Sequence, residues 1–299
     1  MLKLEEIEAL DFWKGFDQDF HIEQLDASSS LELEPDLAQE SRDVLNKEGY
    51  YHYQKTQLQL DHARACKLIK DLVMMKLPPI FALVYDEFWQ LQNQLASIVN
   101  NALGADAKLI PAIWAWCVET NSENIERHEN NAEYNRSIYS SFIEPHRDKG
   151  KISLNPDGSA KSLTTWIPLN EANPLNSCIH LVPAHKDRNY NTETQDNWNF
   201  NFADIRALPA KPGDVLIWNQ AVLHWGSMPA ARDGQEPRIS IGFDYVAKPE
   251  GVNYPIDYMP SFEERRYLIA VQIMQYIHKM ETNEAIVEFI KKYRLCEEH

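Results

Sequence analysis

Arg238-Ile-Ser-Ile-Gly-Phe-Asp-Tyr-Val246 is dense in β-branched and aromatic residues and reads as a strand that opens on a charge. Side chains alternate between the two faces of a strand, so Arg238 and Ser240 point the same way. Five more runs share this texture: residues 113–120, 137–143, 162–168, 178–182 and 214–218, the last announced by the turn Lys211-Pro-Gly213. Short strands divided by Asn, Pro, Gly and Asp clusters point to an antiparallel sandwich or barrel. An arginine facing into such a core is costly unless an anion meets it, because the guanidinium stays protonated. A dicarboxylate reaching a metal at one end and this fork at the other would offset that cost. The Ser240 hydroxyl would add a donor.

Outward from this core the pattern is helical on both sides. Asp36 to Lys47 reads as an amphipathic helix closed by Gly49, followed by a strand at Tyr50-Tyr51-His52-Tyr53. Residues 59–76 and 84–103 carry apolar positions at helical spacing. After Ser261, Leu268, Val271, Met274 and Ile277 share a helix face, and a second helix covers roughly 282–293. The expectation is one α+β domain over residues 1–299 with a mainly β core. It divides into a helical part (1–104), the core (105–250) and C-terminal helices (251–299). The polar 121–137 stretch is long for a connection and reads either as an active-site lid or as a surface insertion.

The 299 residues hold 45 Asp/Glu against 29 Lys/Arg, a net charge of −16. This argues against nucleic-acid binding and against docking on anionic lipid. The acid is uneven: residues 1–50 hold 14 Asp/Glu and 4 Lys/Arg, which leaves the core only mildly acidic. The longest apolar run, Leu77 to Tyr85, is far short of the roughly twenty residues that cross a bilayer. The first residues lack the basic-then-apolar order of a signal peptide, and Cys66, Cys117, Cys178 and Cys296 show no CxxC spacing. Reduced thiols in the cytoplasm are the expectation.

Ten histidines are the place to look for a metal. Two ligands at i and i+2 of a strand end, with a third from a distant strand, make a two-histidine, one-carboxylate triad. Three His-x-acid pairs occur: His21-Ile-Glu23, His146-Arg-Asp148 and His185-Lys-Asp187. The first lies in the acidic N-terminal segment, before any strand. The other two each end a strand-like run, and either would share His224 as its third member. His224 stands 14 residues before Arg238.

The ordered set resembles the phytanoyl-CoA dioxygenase-like branch of the Fe(II)/2-oxoglutarate-dependent dioxygenases. The resemblance runs from about Asp36 to Val246, through Glu48-Gly-Tyr-Tyr51, His146-x-Asp148, Thr165-Trp-Ile-Pro-Leu169, Asn176 to His185, Lys211-Pro-Gly-Asp-Val215, His224 and Arg238-x-Ser240. It implies a double-stranded β-helix, a jelly-roll or cupin-like variant, with helices around it. It implies Fe(II) on His146, Asp148 and His224, and 2-oxoglutarate on Arg238 and Ser240 with Trp166 lining the pocket. His185 then ends a neighbouring strand instead of joining the metal. O2 would be consumed, 2-oxoglutarate would leave as succinate and CO2, and a C–H bond of a small molecule would be hydroxylated. Asp148 stands where halogenating relatives carry a small residue, which favours hydroxylation.

Arg147 replaces a glutamine common in relatives, and Ala184 a common serine. Substrate identity is therefore not carried over, and Arg147, Trp116 and His185 are only candidate substrate contacts. The acidic balance points away from an acyl-CoA and toward a polar, cationic or amino-acid-like metabolite. Two other readings are a cupin-like metal isomerase or hydrolase and a non-catalytic binding protein of the same fold. Arg238-x-Ser240 weighs against the first, which has no need of a carboxylate anchor.

Overall fold

The computed structural model describes residues 2–104, 106–118, 144–227, 229–230, 236–247, 256, 259–277 and 283–294. The strand expected at 137–143 and the 121–137 stretch lie outside these residues. Ahead of the first long strand come α1 (Leu4–Glu8), α2 (Leu10–Phe16), α3 (Pro35–Glu48), α4 (His62–Met74), α5 (Asp86–Gln94) and α6 (Ala96–Leu103). The helix expected over 84–103 is thus two, parted at Leu95, whose carbonyl still accepts the Val99 N–H. As expected, α3 stops at Gly49, which takes φ +82° and turns the chain into β1 (Tyr50–Tyr53). A Cβ at Gly49 would sit 2.1 Å from the Cγ2 of Val222, so only glycine lets these two segments meet.

The remaining strands are β2 (Lys108–Val118), β3 (Ser162–Pro168), β4 (Ile179–Val182), β5 (Arg206–Leu208), β6 (Val215–Asn219), β7 (Leu223–Gly226) and β8 (Arg238–Val246). They form two antiparallel sheets, ordered β1-β6-β3-β8-β2 and β5-β4-β7. A bridge between His146 and His224 adds the 146 segment beside β7. β5 and β7 went unanticipated. Three or four residues are too few to show a period.

Alternation along β8 sorts the interior into two layers. Ile239, Ile241, Phe243 and Tyr245 join Leu163 and Ile167 of β3 and Ile217 of β6 in the larger apolar cluster, with the helices on the far side. On the opposite face Trp166, Leu216 and Trp218 meet Ile179, Leu181 and Val222 of the smaller sheet. The space between the sheets opens into a cavity, into which Arg238 and Asp244 of β8 also project.

The C-terminal helices α7 (Phe262–Tyr276) and α8 (Glu284–Arg294) close the helical layer. The buried side of α7 is not the one its apolar residues suggest: Arg265 and Gln272 are buried and Ile277 is 38% exposed. Polar partners override the apolar stripe. The Gln272 amide donates to the Pro111 carbonyl at 2.7 Å, and Arg265 pairs with Asp86 at 2.6 Å. Asp86 also accepts N–H bonds from Glu23, Gln24 and Leu25, tying the acidic N-terminal segment to the bundle. Burial alone would raise the Asp86 carboxyl, but these bonds and Arg265 hold it below the usual carboxylate range.

Asp86→Ala strands a buried arginine and is expected to cost about 3–5 kcal/mol, read from urea midpoints at neutral pH. Because the folded pKa is depressed, this stabilisation is complete above the ordinary carboxylate value of about 3.9. It fades as pH falls through the lower folded value, so the wild-type advantage over the variant should narrow in strong acid. Among the described residues no helix is long and apolar enough to cross a membrane.

Candidate metal centre

His146 and His224 face each other across a narrow antiparallel bridge, each backbone N–H bonding the other's carbonyl at 3.0 and 2.9 Å. Their rings lie 4.5 Å apart. The Nδ1 of His146 is 2.9 Å from the Glu144 carbonyl, and that of His224 is 3.0 Å from the Val222 carbonyl. A carbonyl only accepts, so both Nδ1 atoms carry the proton and both Nε2 atoms carry the lone pair. These lone pairs converge on Asp148, whose Oδ1 lies 3.8 Å from His146 Nε2 and 3.6 Å from His224 Nε2. All three donor atoms fall within 4.8 Å of one another. Separations of this size leave room for one ion among them, and two imidazoles with one carboxylate suit Fe(II).

The second carboxylate oxygen is fixed from the β-core. Asp148 Oδ2 accepts the Trp218 indole N–H at 3.1 Å. The Thr164 hydroxyl lies 3.3 Å from it but 2.7 Å from Asp244 Oδ1, and its single proton goes to the nearer acid. The Gln220 amide donates to that hydroxyl at 3.2 Å. Burial raises the Asp244 carboxyl, and the neighbouring charge of Asp148 raises it further.

Arg238 lines the same cavity, and Ser240 shares its face of β8. Arg238 is 2% exposed and Ser240 fully buried. Neither the Arg238 Nε nor the Ser240 Oγ has a hydrogen-bond partner among the described residues. The guanidinium lies 5.7 Å from the centre of the Trp166 ring, and burial pushes its pKa down to about 10. A buried cation and a buried hydroxyl, adjacent on one strand face and both unsatisfied, form a cradle for an anion.

Residues 91–229 match the family model described as phytanoyl-CoA dioxygenase (PhyH). Over this span, somewhat under half of its length, the chain is similar to the PhyH family. All three triad residues lie inside the PhyH span, and Arg238 and Ser240 follow it. Two solved structures share the fold, here of the cupin or jelly-roll type. One is SnoN, a non-heme α-ketoglutarate-dependent epimerase from nogalamycin biosynthesis: 17% identity, 71% of this chain and 84% of that one covered, TM-score 0.52. The other is the non-heme monooxygenase ThoJ: 12% identity, 84% and 99% covered, TM-score 0.52. A search of the curated proteins finds no match.

The rival histidine pairs are taken up elsewhere in the chain. His185 sits 3.5 Å from Glu48, Asp187 pairs with Arg147, and His21 bonds Glu87 at 2.7 Å. Two expected substrate contacts do not line the cavity. Arg147, one residue past a ligand, turns to the other side of the chain and spends its donors on Asp187 and the carbonyls of Gln195 and Ala221. His185 lies on the outer side, beside Glu48. Trp116 does line the cavity, edge-on to Tyr276 with ring centres 5.5 Å apart. Sequence reading missed Trp218, Thr164 and Asp244. Carrying the β8 alternation past Ser240 would have found the last.

Trp114 lies across Gly242, where a Cβ would come within 2.4 Å of its indole. Gly242→Ala should therefore push this ring into the cavity, seen as a changed tryptophan emission with the fold intact by circular dichroism.

Proposed function

We propose that this chain is an Fe(II)- and 2-oxoglutarate-dependent oxygenase that hydroxylates a C–H bond of a small polar molecule. The observation that carries the reading is one cavity lined by a two-histidine, one-carboxylate triad and by buried Arg238, whose Nε lacks a partner, as does the hydroxyl of Ser240 on the same strand face. His146, Asp148 and His224 would hold the iron. Arg238 and Ser240 would hold the distal carboxylate of 2-oxoglutarate, with Trp166 against the guanidinium. Bound iron, with the oxo-acid and O2, supplies the oxidising power that cleaves the C–H bond, with succinate and CO2 as co-products.

The chain's own residues do the positioning. The Glu144 and Val222 carbonyls fix the tautomer of both imidazoles, and Trp218 sets the Asp148 carboxylate. Counting the His146 segment, the sheets read β6-β3-β8-β2 and β5-β4-β7-146, and the chain passes repeatedly between them. This order supports a double-stranded β-helix.

Incubation with Fe(II), ascorbate, O2 and 2-oxoglutarate should yield succinate, slowly alone and faster with a true substrate. Absence of succinate under both conditions rejects the proposal. SnoN is described as an epimerase and ThoJ as a monooxygenase, so this fold serves both outcomes. A product heavier by one oxygen identifies hydroxylation, and one of unchanged mass epimerisation.

A further inference from the structure

The inner face of β8 carries two charges of opposite sign, and the function proposed above uses only Arg238. Asp244 is the other. It is 6% exposed, lines the same cavity, and accepts a hydrogen bond from the Thr164 hydroxyl, which itself accepts one from the Gln220 amide. Among the described residues no basic side chain forms an ion pair with it. Lys149, exposed at the cavity rim, is the basic group whose charge reaches it. Arg238 cannot serve, because six residues of extended strand put the two about 20 Å apart. Burial and the neighbouring Asp148 both disfavour the Asp244 carboxylate, a cost that a bound cation would offset.

The surroundings of Asp244 suit a cation. Strand register places Gly242 opposite Trp114 on one side and Trp166 on the other, one step along the same face from Asp244. Gly242 has no side chain, so the Trp114 indole lies flat on the strand there. Tyr276 lines the same cavity and stands edge-on to Trp116. One carboxylate among indole and phenol rings recognises an ammonium group by charge and by the rings' negative faces.

We infer that Asp244 is the substrate-anchoring carboxylate, and that the substrate bears a protonated amine held against Asp244 between Trp114 and Tyr276. This inference rests on the oxygenase reading for its meaning, but its test does not. The probes are 2-phenylethylammonium, its uncharged isostere 2-phenylethanol and the anion 3-phenylpropionate. Each is titrated into the full chain, metal-free and loaded with Fe(II) and 2-oxoglutarate under nitrogen, and followed by tryptophan emission.

The ammonium should bind at least tenfold more tightly than the alcohol in both forms, and Asp244→Asn should abolish that preference. The same variant should keep its Fe(II) affinity. A wild type that prefers the alcohol or the anion overturns the inference, as does a variant that keeps the ammonium preference. Loss of iron affinity with ammonium binding unchanged would make Asp244 a support for Asp148 through Thr164, and equally overturns it. If the wild type forms no succinate, the oxygenase reading fails, while the binding preference still decides the role of Asp244.

Discussion

His224→Ala is expected to leave the folded chain unable to retain Fe(II) and unable to form succinate from 2-oxoglutarate. Two of the three donors would remain, His146 and Asp148, and they come from one short segment. Losing a hydrogen bond that merely supports a ligand costs roughly 10–100-fold in metal affinity or activity, so losing the ligand itself should exceed that range. Asp148→Ala should behave alike, and it also strips the Trp218 indole of its acceptor. The two variants differ in stability. The His224 side chain is 6% exposed inside the smaller sheet, whereas Asp148 is 27% exposed, so the histidine variant should show the larger fall in urea midpoint. Stoichiometric Fe(II) retention by folded His224→Ala would overturn the metal assignment.

Arg238→Met should separate binding from stability. Removing one partner of a buried, hydrogen-bonded charge pair costs about 2–5 kcal/mol of affinity. The KM for 2-oxoglutarate should therefore rise by about thirty-fold to several thousand-fold, a tenfold change being 1.4 kcal/mol. The metal-free variant should melt no lower than the wild type, and is expected to melt higher. In the wild type the guanidinium is buried without an anion, and depression of its pKa from 12.5 to about 10 corresponds to roughly 3 kcal/mol against the charged form. A flexible apolar side chain of similar length escapes that cost. Added 2-oxoglutarate should then raise the melting temperature of the wild type and not of the variant. An unchanged KM would remove Arg238 from the co-substrate site.

Much of this was legible in the sequence because β-strands impose a short, strict period. The bounds of β3 and β8 were readable from β-branched and aromatic runs, and the i, i+2 rule put His146 with Asp148 and Arg238 with Ser240. The same rule, applied strictly, removes Arg147 from the cavity, since the residue between two inward ligands must turn outward. What stayed hidden needed three dimensions. The buried face of α7 is set by Asp86 and by the Pro111 carbonyl, both far away in sequence. The net charge, from which a cationic ligand was expected, does not describe the cavity. No residue among the first fifty lines the cavity, and the two acids that do are Asp148 of the triad and Asp244 on β8.

Gly49 shows how far the tolerance of the metal site to change extends beyond its ligands. The atom that a side chain at this position would strike belongs to Val222, and the Val222 carbonyl orients the His224 ring. Val222 is fully buried and β-branched, with little freedom to turn aside. Any larger residue at 49 would thus be felt as a tilt of a ligand 175 positions downstream. A helix terminator and a coordination sphere are thus mechanically coupled, although Gly49 does not line the cavity.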